Sequence, residues 1–274
     1  MKKKGNFSTF LLILLLIMGL SLMLYPTLSE AWNTRYNRRY INNYDTVVST
    51  LDSERYHQYW NDALNFNAQR RKSGSSFKLS DLEMEQYEQV LNLDGNGVMG
   101  YIELSSIGAK IPIYHGTSVD VLQVGVGHLE WSSLPTGGES THCVLSGHRG
   151  LPSARLFTDL DQLREGDVFL LHILDETLTY EVDQILIVLP EDTDALVIEE
   201  GRDLCTLVTC TPYGVNSHRL LVRGHRIENA AEAVNVRVTS DAFRVEPMTV
   251  AAVLYFPILI IMLSLQSIID RRKK

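Results

Sequence analysis

Cysteine is scarce in this chain. There are three in 274 residues, with no C-x-x-C pair and no Cys/His spacing of the kind that holds zinc, so neither a disulfide scaffold nor a metal centre is expected. Positive charge is missing from the middle. The whole chain carries 25 Lys+Arg against 33 Asp+Glu, a net charge of −8. Lys2, Lys3 and Lys4 supply three positive charges at one end. Asp270 with Arg271, Arg272, Lys273 and Lys274 supplies three more at the other, which leaves the middle at −14. Nucleic-acid binding needs clustered cations against the phosphates, so no nucleic-acid partner is expected.

Charge of either sign is absent from two stretches, Phe7 to Leu28 and Met248 to Ile269. Each is long enough to cross a bilayer, and each carries its basic cluster on the flank nearer the chain end. The Ala-x-Ala-like cleavage site of a signal peptide is missing after the first, which favours an anchor. Pro257 in the second is tolerable, since membrane helices carry proline more often than soluble ones. Basic outer flanks put both termini in the cytoplasm and the acidic middle outside.

Between the spans, residues 29–97 read as helical. Trp32, Tyr36, Tyr40, Tyr44 and Val47 recur at spacings of four and three and predict one aromatic face. Leu51 to Phe66 continues in that style, and Leu82 to Leu91 predicts a further helix started by Ser80 or Asp81. Arg70-Arg-Lys-Ser-Gly-Ser-Ser76 is a basic, Ser/Gly-rich loop. Asp94-Gly-Asn-Gly97 lacks the later oxygen ligands and closing Glu of a calcium loop and reads as a turn. Thereafter short apolar runs alternate with turns: Gly100 to Leu104, Lys110 to Tyr114, Thr141 to Leu145, Val168 to Leu174, Leu178 to Leu189, Leu204 to Cys210 and Arg219 to Ile227. Seven or eight short strands with few long helices predict an all-β barrel or sandwich. Pro152 to Leu163 reads as a short helix.

The chemistry concentrates between Thr206 and Arg223. A β-like run ends at Cys210, the chain breaks at Pro212 and Gly214, and a second run begins at Arg219. Antiparallel pairing of the two runs returns Arg219 beside Cys210. Arg223 has the same parity but lies roughly 13 Å further along a strand, so it is the poorer neighbour. A fixed positive charge beside a thiol favours the reactive thiolate. Cys143 and Cys205 sit inside apolar runs, and Cys210 alone adjoins a turn. Eight histidines are present, and composition does not choose a partner among them. His148 stands out because Leu145-Ser-Gly-His-Arg-Gly150 sets it just past a buried run, flanked by glycines that permit close approach.

Thr206-Leu-Val-Thr-Cys210 followed by Arg219 resembles the sortases, the cell-wall transpeptidases of Gram-positive bacteria. The continuation Thr211-Pro-Tyr-Gly-Val-Asn-Ser-His-Arg-Leu-Leu-Val-Arg-Gly224 is similar to the class C, pilin-polymerising branch, as are Val98-Met-Gly-Tyr-Ile-Glu103, Ile113-Tyr-His-Gly116 and Gly125-Val-Gly-His-Leu-Glu130. Leu-Ser-Gly-His is the family's histidine motif. The resemblance therefore implies His148, Cys210 and Arg219 as catalytic residues, with Thr209 helping to shape the site. It implies a sortase-type closed β-barrel over residues 98–228, preceded by the helical region, with a membrane helix at each end (7–28 and 248–269). A linker at 229–247 and short cytoplasmic tails, 1–6 and 270–274, complete the division. Class C sortases carry a lid over the active site, here expected at about residues 70–81. Gly74 to Asp81 contains no proline, so the Asp-Pro-aromatic anchor of that lid is absent and Phe77 is the one aromatic there that could fill the cleft.

The resemblance implies cleavage of a Leu-Pro-x-Thr-Gly-like sorting signal between Thr and Gly, with transfer to a lysine amine of a pilin subunit. The implied partners are pilins carrying C-terminal sorting signals and acceptor lysines, together with the membrane, and no cofactor or metal is called for. Two alternatives stay open on the sequence: a cysteine hydrolase, and a catalytically silent pilus-assembly module on the same fold.

Overall fold

The computed structural model describes residues 7–73 and 77–229. The expected second span, the terminal tails, nearly all of the linker and residues 74–76 of the expected 70–81 lid lie outside the described residues, while residues 70–73, expected in a loop, continue a helix to Ser73. Helix α1 runs Phe7–Ser49. Its residues up to Trp32 belong to one unit of the chain, and a second unit begins at Asn33. Among the described residues this is the one helix long and apolar enough to cross a membrane. Pro26 lies inside it, as membrane helices tolerate.

Within the second unit α1 buries Asn37, Ile41 and Tyr44. That face is rotated from the predicted aromatic stripe. Tyr44 is shared, Tyr40 lies at the edge, and Trp32 and Tyr36 are exposed. Aliphatic Ile41 meets Val98, Tyr101 and Tyr114, while the Tyr36 hydroxyl pairs with that of Tyr40 at 2.8 Å on the wet side. A tyrosine can leave its polar tip in water at little cost, which is why an aromatic spacing alone misjudged the buried face. Tyr44 donates to the Met99 carbonyl (2.8 Å) and accepts from the Leu174 amide (2.7 Å), fastening the helix to the body.

Helices α2 (Ser53–Ser73) and α3 (Asp81–Gln89) follow. Ser80 caps α3 in a reciprocal box: its hydroxyl accepts from the Glu83 amide and the Glu83 carboxylate accepts from the Ser80 amide. Such a cap contributes on the order of 1 kcal/mol. Ala63 and Phe66 of α2 and Tyr87 of α3 join the main core.

Eight strands form a closed barrel: β1 (Val98–Leu104), β2 (Ala109–His115), β3 (Val126–His128), β4 (Thr141–Ser146), β5 (Val168–Ile173), β6 (Glu176–Val188), β7 (Asp203–Thr211) and β8 (His218–Ile227), in the order β1-β2-β3-β4-β7-β8-β6-β5. Most pairs are antiparallel, but β2–β3 and β4–β7 run parallel. A short helix, α4 (Val119–Val124), makes the crossover into β3. Of the eight strands, β3 alone was not visible as an apolar run. The segment predicted as a helix, Pro152 to Leu163, is instead a series of turns ending in one 3-10 turn, Leu160–Gln162. Leu156, Phe157, Leu160 and Leu163 are all buried at helix-like spacing, but Leu156 adopts a positive φ of 38°, which no right-handed helix accommodates.

Strand parity sorts the two faces of the sheet. Cys143 and Leu145 of β4, Cys205 and Leu207 of β7, and Leu220 and Val222 of β8 face the main core. Val144, Val208 and Leu221, on the opposite face of the same three strands, form a separate apolar cluster covered by Leu196, with Leu129 and Trp131 partly buried against it. Because both faces are covered, the central strand β7 is buried almost throughout, its Thr206 and Thr209 included.

Candidate active site

The parallel ladder between β4 and β7 pairs Thr141 with Asp203 through Ser146 with Val208. Each pair differs by the same 62 positions that separate Gly147 from Thr209 and Arg149 from Thr211. The last residue pair is Ser146 with Val208, yet one further backbone bond and two side-chain bonds carry the register on. The Gly147 amide donates to the Val208 carbonyl at 3.0 Å. The Thr209 hydroxyl donates to the Gly147 carbonyl at 2.7 Å, and Arg149 Nη1 donates to the Thr211 hydroxyl at 3.3 Å. His148 and Cys210 are enclosed between these contacts and share their offset. The register, carried on past its last pair, brings the His148 loop to the Cys210 end of β7.

On the other side of β7, Cys210 is the direct cross-strand partner of Arg219, at a Cα separation of roughly 4.5–5.5 Å for antiparallel pairs. His148, Cys210 and Arg219 thus occupy three adjacent strands or strand extensions. By parity Cys210 and Arg219 continue the face that carries Val208 and Leu221, while His148 lies in the loop just past β4. Cys210 is half-buried, whereas Cys143 and Cys205 are buried in the core, where burial pushes the Cys205 thiol far above its ordinary value. Arg219 Nη1 rests on the carbonyls of Asn216 (3.2 Å) and His218 (3.0 Å). Asn216 belongs to the tight turn in which its own amide and that of Val215 both donate to the Pro212 carbonyl, and His218 opens β8.

The other histidines are mostly committed. His115 bonds the Gly97 and Val90 carbonyls, His128 bonds Tyr87 and the Ser133 carbonyl, and His142 bonds Thr206 and the Val197 carbonyl. Burial depresses the basicity of His115 and His142, which keeps them neutral and structural. His148 is only half-buried, and its ring carries no hydrogen bond among the described residues. Arg223 is spent elsewhere. It clasps Asp183 with Nε (2.9 Å) and Nη2 (3.0 Å) and reaches Glu199 with Nη1 (2.9 Å). Arg202 bridges the same two carboxylates. Burial opposes it, but the hydrogen bonds from Arg223 and Arg202 hold the Asp183 carboxyl below the usual range. The network ties the β6–β7 connection down beside the apolar cluster of Val208 and Leu221.

Phe77, exposed, stands edge-on to Trp131 with ring centroids 4.7 Å apart. Trp131 in turn borders the cluster that contains Val208. Sequence reasoning did not find Trp131, Leu196 or Arg149. The first two sit in loops whose docking needs the fold, and Arg149 was visible only as a neighbour of His148. Among the described residues no cluster of His, Cys, Asp or Glu could hold a metal.

A family model described as the Sortase domain matches residues 102–227. The chain is similar to sortase C1 from Streptococcus agalactiae, with 53% identity and a TM-score of 0.69, over 70% of this chain and 100% of that one. It is also similar to Streptococcus pneumoniae Sortase C, a structure described as bearing on pilin substrate specificity, at 45% identity and a TM-score of 0.63, over 70% of this chain and 98% of that one. Sortase D of Bacillus subtilis (strain 168) is 33% identical over 131 residues, which span 47% of this chain and 63% of that protein. With the barrel, the Cys210–Arg219 pairing and these likenesses in agreement, the chain belongs to the sortase family.

Proposed function

We propose that the protein is a membrane-anchored cysteine transpeptidase that cleaves a Leu-Pro-x-Thr-Gly-like sorting signal and joins the freed threonine carbonyl to a lysine amine of a pilin subunit. The observation that supports this reading is the direct cross-strand pairing of Cys210 with Arg219, beside the 62-residue offset that the His148 loop shares with the end of β7. The Cys210 thiolate attacks the threonine carbonyl carbon, the C–N bond to glycine breaks, and His148 as imidazolium gives its proton to the departing amine. The lysine amine then attacks the thioester, the C–S bond breaks, and His148 takes up the amine proton. Arg219 offers a fixed positive charge to the oxyanion of each tetrahedral intermediate. Thr209 keeps the carbonyl before His148 in place through its 2.7 Å bond. Pilins as substrates rest on the class C likeness, including the pilin specificity of the pneumococcal neighbour.

The reading also places both chain ends in the cytoplasm and the barrel outside, in keeping with the basic flanks of the two uncharged stretches. Tethering enzyme and membrane-held substrates at one surface raises their effective concentration. A membrane-impermeant sorting-signal peptide added to intact cells is expected to leave an acyl adduct on Cys210, detected by mass spectrometry. A lysine-bearing acceptor then converts it to an isopeptide product. Adduct without isopeptide, resolved only by water, identifies a hydrolase. No adduct in cells or on the purified chain identifies a silent module.

Phe77 is the lid residue of this reading, resting on Trp131 at the edge of the Val208 cluster. Phe77→Ala is expected to speed alkylation of Cys210 by a bulky maleimide by roughly two- to fivefold, since a lid held by one aromatic contact of ~1 kcal/mol is mostly closed but weakly so. An unchanged rate removes the lid assignment.

A further inference from the structure

We propose that Arg149 is a positioning residue that clamps the histidine loop onto the cysteine strand, extending the β4–β7 register by side-chain contacts where backbone pairing has stopped. The last backbone pair of that ladder is Ser146 with Val208. Beyond it one more backbone bond, from the Gly147 amide to the Val208 carbonyl at 3.0 Å, continues the ladder, and among the described residues no backbone bond to β7 is made by His148 itself. Two side chains take over, one on each side of the pair. Thr209 holds Gly147, and Arg149 holds Thr211, the residue directly after the cysteine, both at the same offset of 62.

The geometry around Arg149 is that of a fixed brace. Its side chain is only 13% exposed, and Nη2 meets the Asp161 carboxylate at 2.5 Å while Nη1 reaches Thr211 at 3.3 Å. One planar group therefore spans the segment after the histidine loop and the end of β7 at once, a task suited to a guanidinium fork and not to an ammonium. The surroundings close the same joint. The Gly150 amide donates to the Thr158 hydroxyl at 3.1 Å, and the Phe157 amide donates to the His148 carbonyl at 3.1 Å. The Tyr213 ring lies so close over Gly150 that a Cβ there would come within 2.4 Å of it. Tyr213 belongs to the turn after Cys210, so the two loops bearing the site touch through both the guanidinium and this ring.

The clamp deepens the transpeptidase reading and rests on it only for its kinetic arm. The test uses the full chain in lipid nanodiscs, with a Leu-Pro-x-Thr-Gly peptide for turnover and iodoacetamide, which needs no substrate, for the state of Cys210. In Arg149→Ala a loosened His148 is expected to lower kcat about 30-fold with KM changed less than about twofold, because the lost geometry matters to the reacting atoms and not to peptide binding. Alkylation of Cys210 at neutral pH is expected to slow by about tenfold as the thiol loses its imidazole partner. Arg149→Lys should resemble Arg149→Ala in both assays, since a single ammonium cannot hold Asp161 and Thr211 together. Thr211→Val removes the acceptor alone and should lose about threefold in kcat, with no further loss when combined with Arg149→Ala. A fully active Arg149→Lys, additive losses in the double variant, or a kcat deficit that only tracks a fallen folded fraction each overturn the clamp. If the parent chain processes no peptide but the alkylation pattern holds, the substrate reading fails and the clamp stands. If Arg149→Ala does not fold, Thr211→Val decides: alkylation and kcat at parental rates overturn the proposal.

Discussion

Cys210→Ala is expected to leave a folded protein that forms no acyl adduct and cleaves no sorting peptide, a loss of about 10⁴-fold or more, comparable to removing the nucleophile of other acyl-transfer enzymes. The expectation follows from where the three thiols sit. Cys143 and Cys205 face each other in the core, fully enclosed, so neither can meet a peptide carbonyl when Cys210 is gone. Cys210 is half-buried at the end of β7, directly across from Arg219. Its replacement removes one sulfur from a site already partly open to water, and the cost in stability should be about 1 kcal/mol or less. Mass spectrometry of the chain after incubation with peptide, beside a thermal melt, checks both halves. An adduct surviving in Cys210→Ala would falsify the assignment of the nucleophile. A melt lowered by tens of degrees would turn the cysteine into a packing residue. Cys210→Ser should behave as the alanine variant does, because a hydroxyl at this position has no comparable anionic form near neutral pH.

The Cys210–Arg219 pairing was readable because it is local. One turn with Pro212 and Gly214 joins two β-patterned runs, and antiparallel return then fixes which residues face each other. The choice of His148 was less readable from pattern. Parallel register between β4 and β7 depends on how the long connection between them folds, and a slip of one position would have sent His148 to the other face. Its place past a buried run and between glycines made it stand out, but the likeness to a known histidine motif decided it among eight histidines. Arg149 shows the same limit more sharply, since an arginine next to a histidine is unremarkable until the offset shared with Gly147–Thr209 is seen. β3 escaped because three residues, Val126, Gly127 and His128, are too short a run for alternation to register. Gly127 there packs so tightly that a Cβ would fall 2.3 Å from the Gly116 carbonyl oxygen. The misplaced helix at Pro152 to Leu163 has the opposite cause. Its apolar spacing is real, and buries the expected residues, but a backbone that must hold the His148 carbonyl through Phe157 cannot also be helical. The barrel itself was within reach, because seven of its strands announce themselves as apolar runs between turns.

Arg219→Ala is expected to lower the rate of acylation by about 10² to 10³-fold while KM for the sorting peptide changes little, the signature of a donor aimed at charge that develops during the reaction. Two features of its placement argue for this over a role in holding the peptide. Its backbone lies directly across from Cys210, so the guanidinium works within one side-chain length of the attacked carbonyl. And only Nη1 is occupied, by the carbonyls of Asn216 and His218; Nε and Nη2 carry no hydrogen bond among the described residues and are available to an oxyanion. Those two carbonyl contacts also fix the fork before substrate arrives, so little reorganisation is left for the moment of reaction. Arg219→Lys keeps the charge but loses the fork and its anchoring, and should fall between the parent and the alanine variant, at about tenfold below the parent. Arg223→Ala provides the contrast. Its charge is consumed by Asp183 and Glu199, so its loss should loosen the β6–β7 connection and act through KM. Single-turnover acylation at saturating and limiting peptide separates the two behaviours. If Arg219→Ala raises KM and leaves the saturated rate intact, the guanidinium holds the peptide and the oxyanion must be met by backbone amides instead.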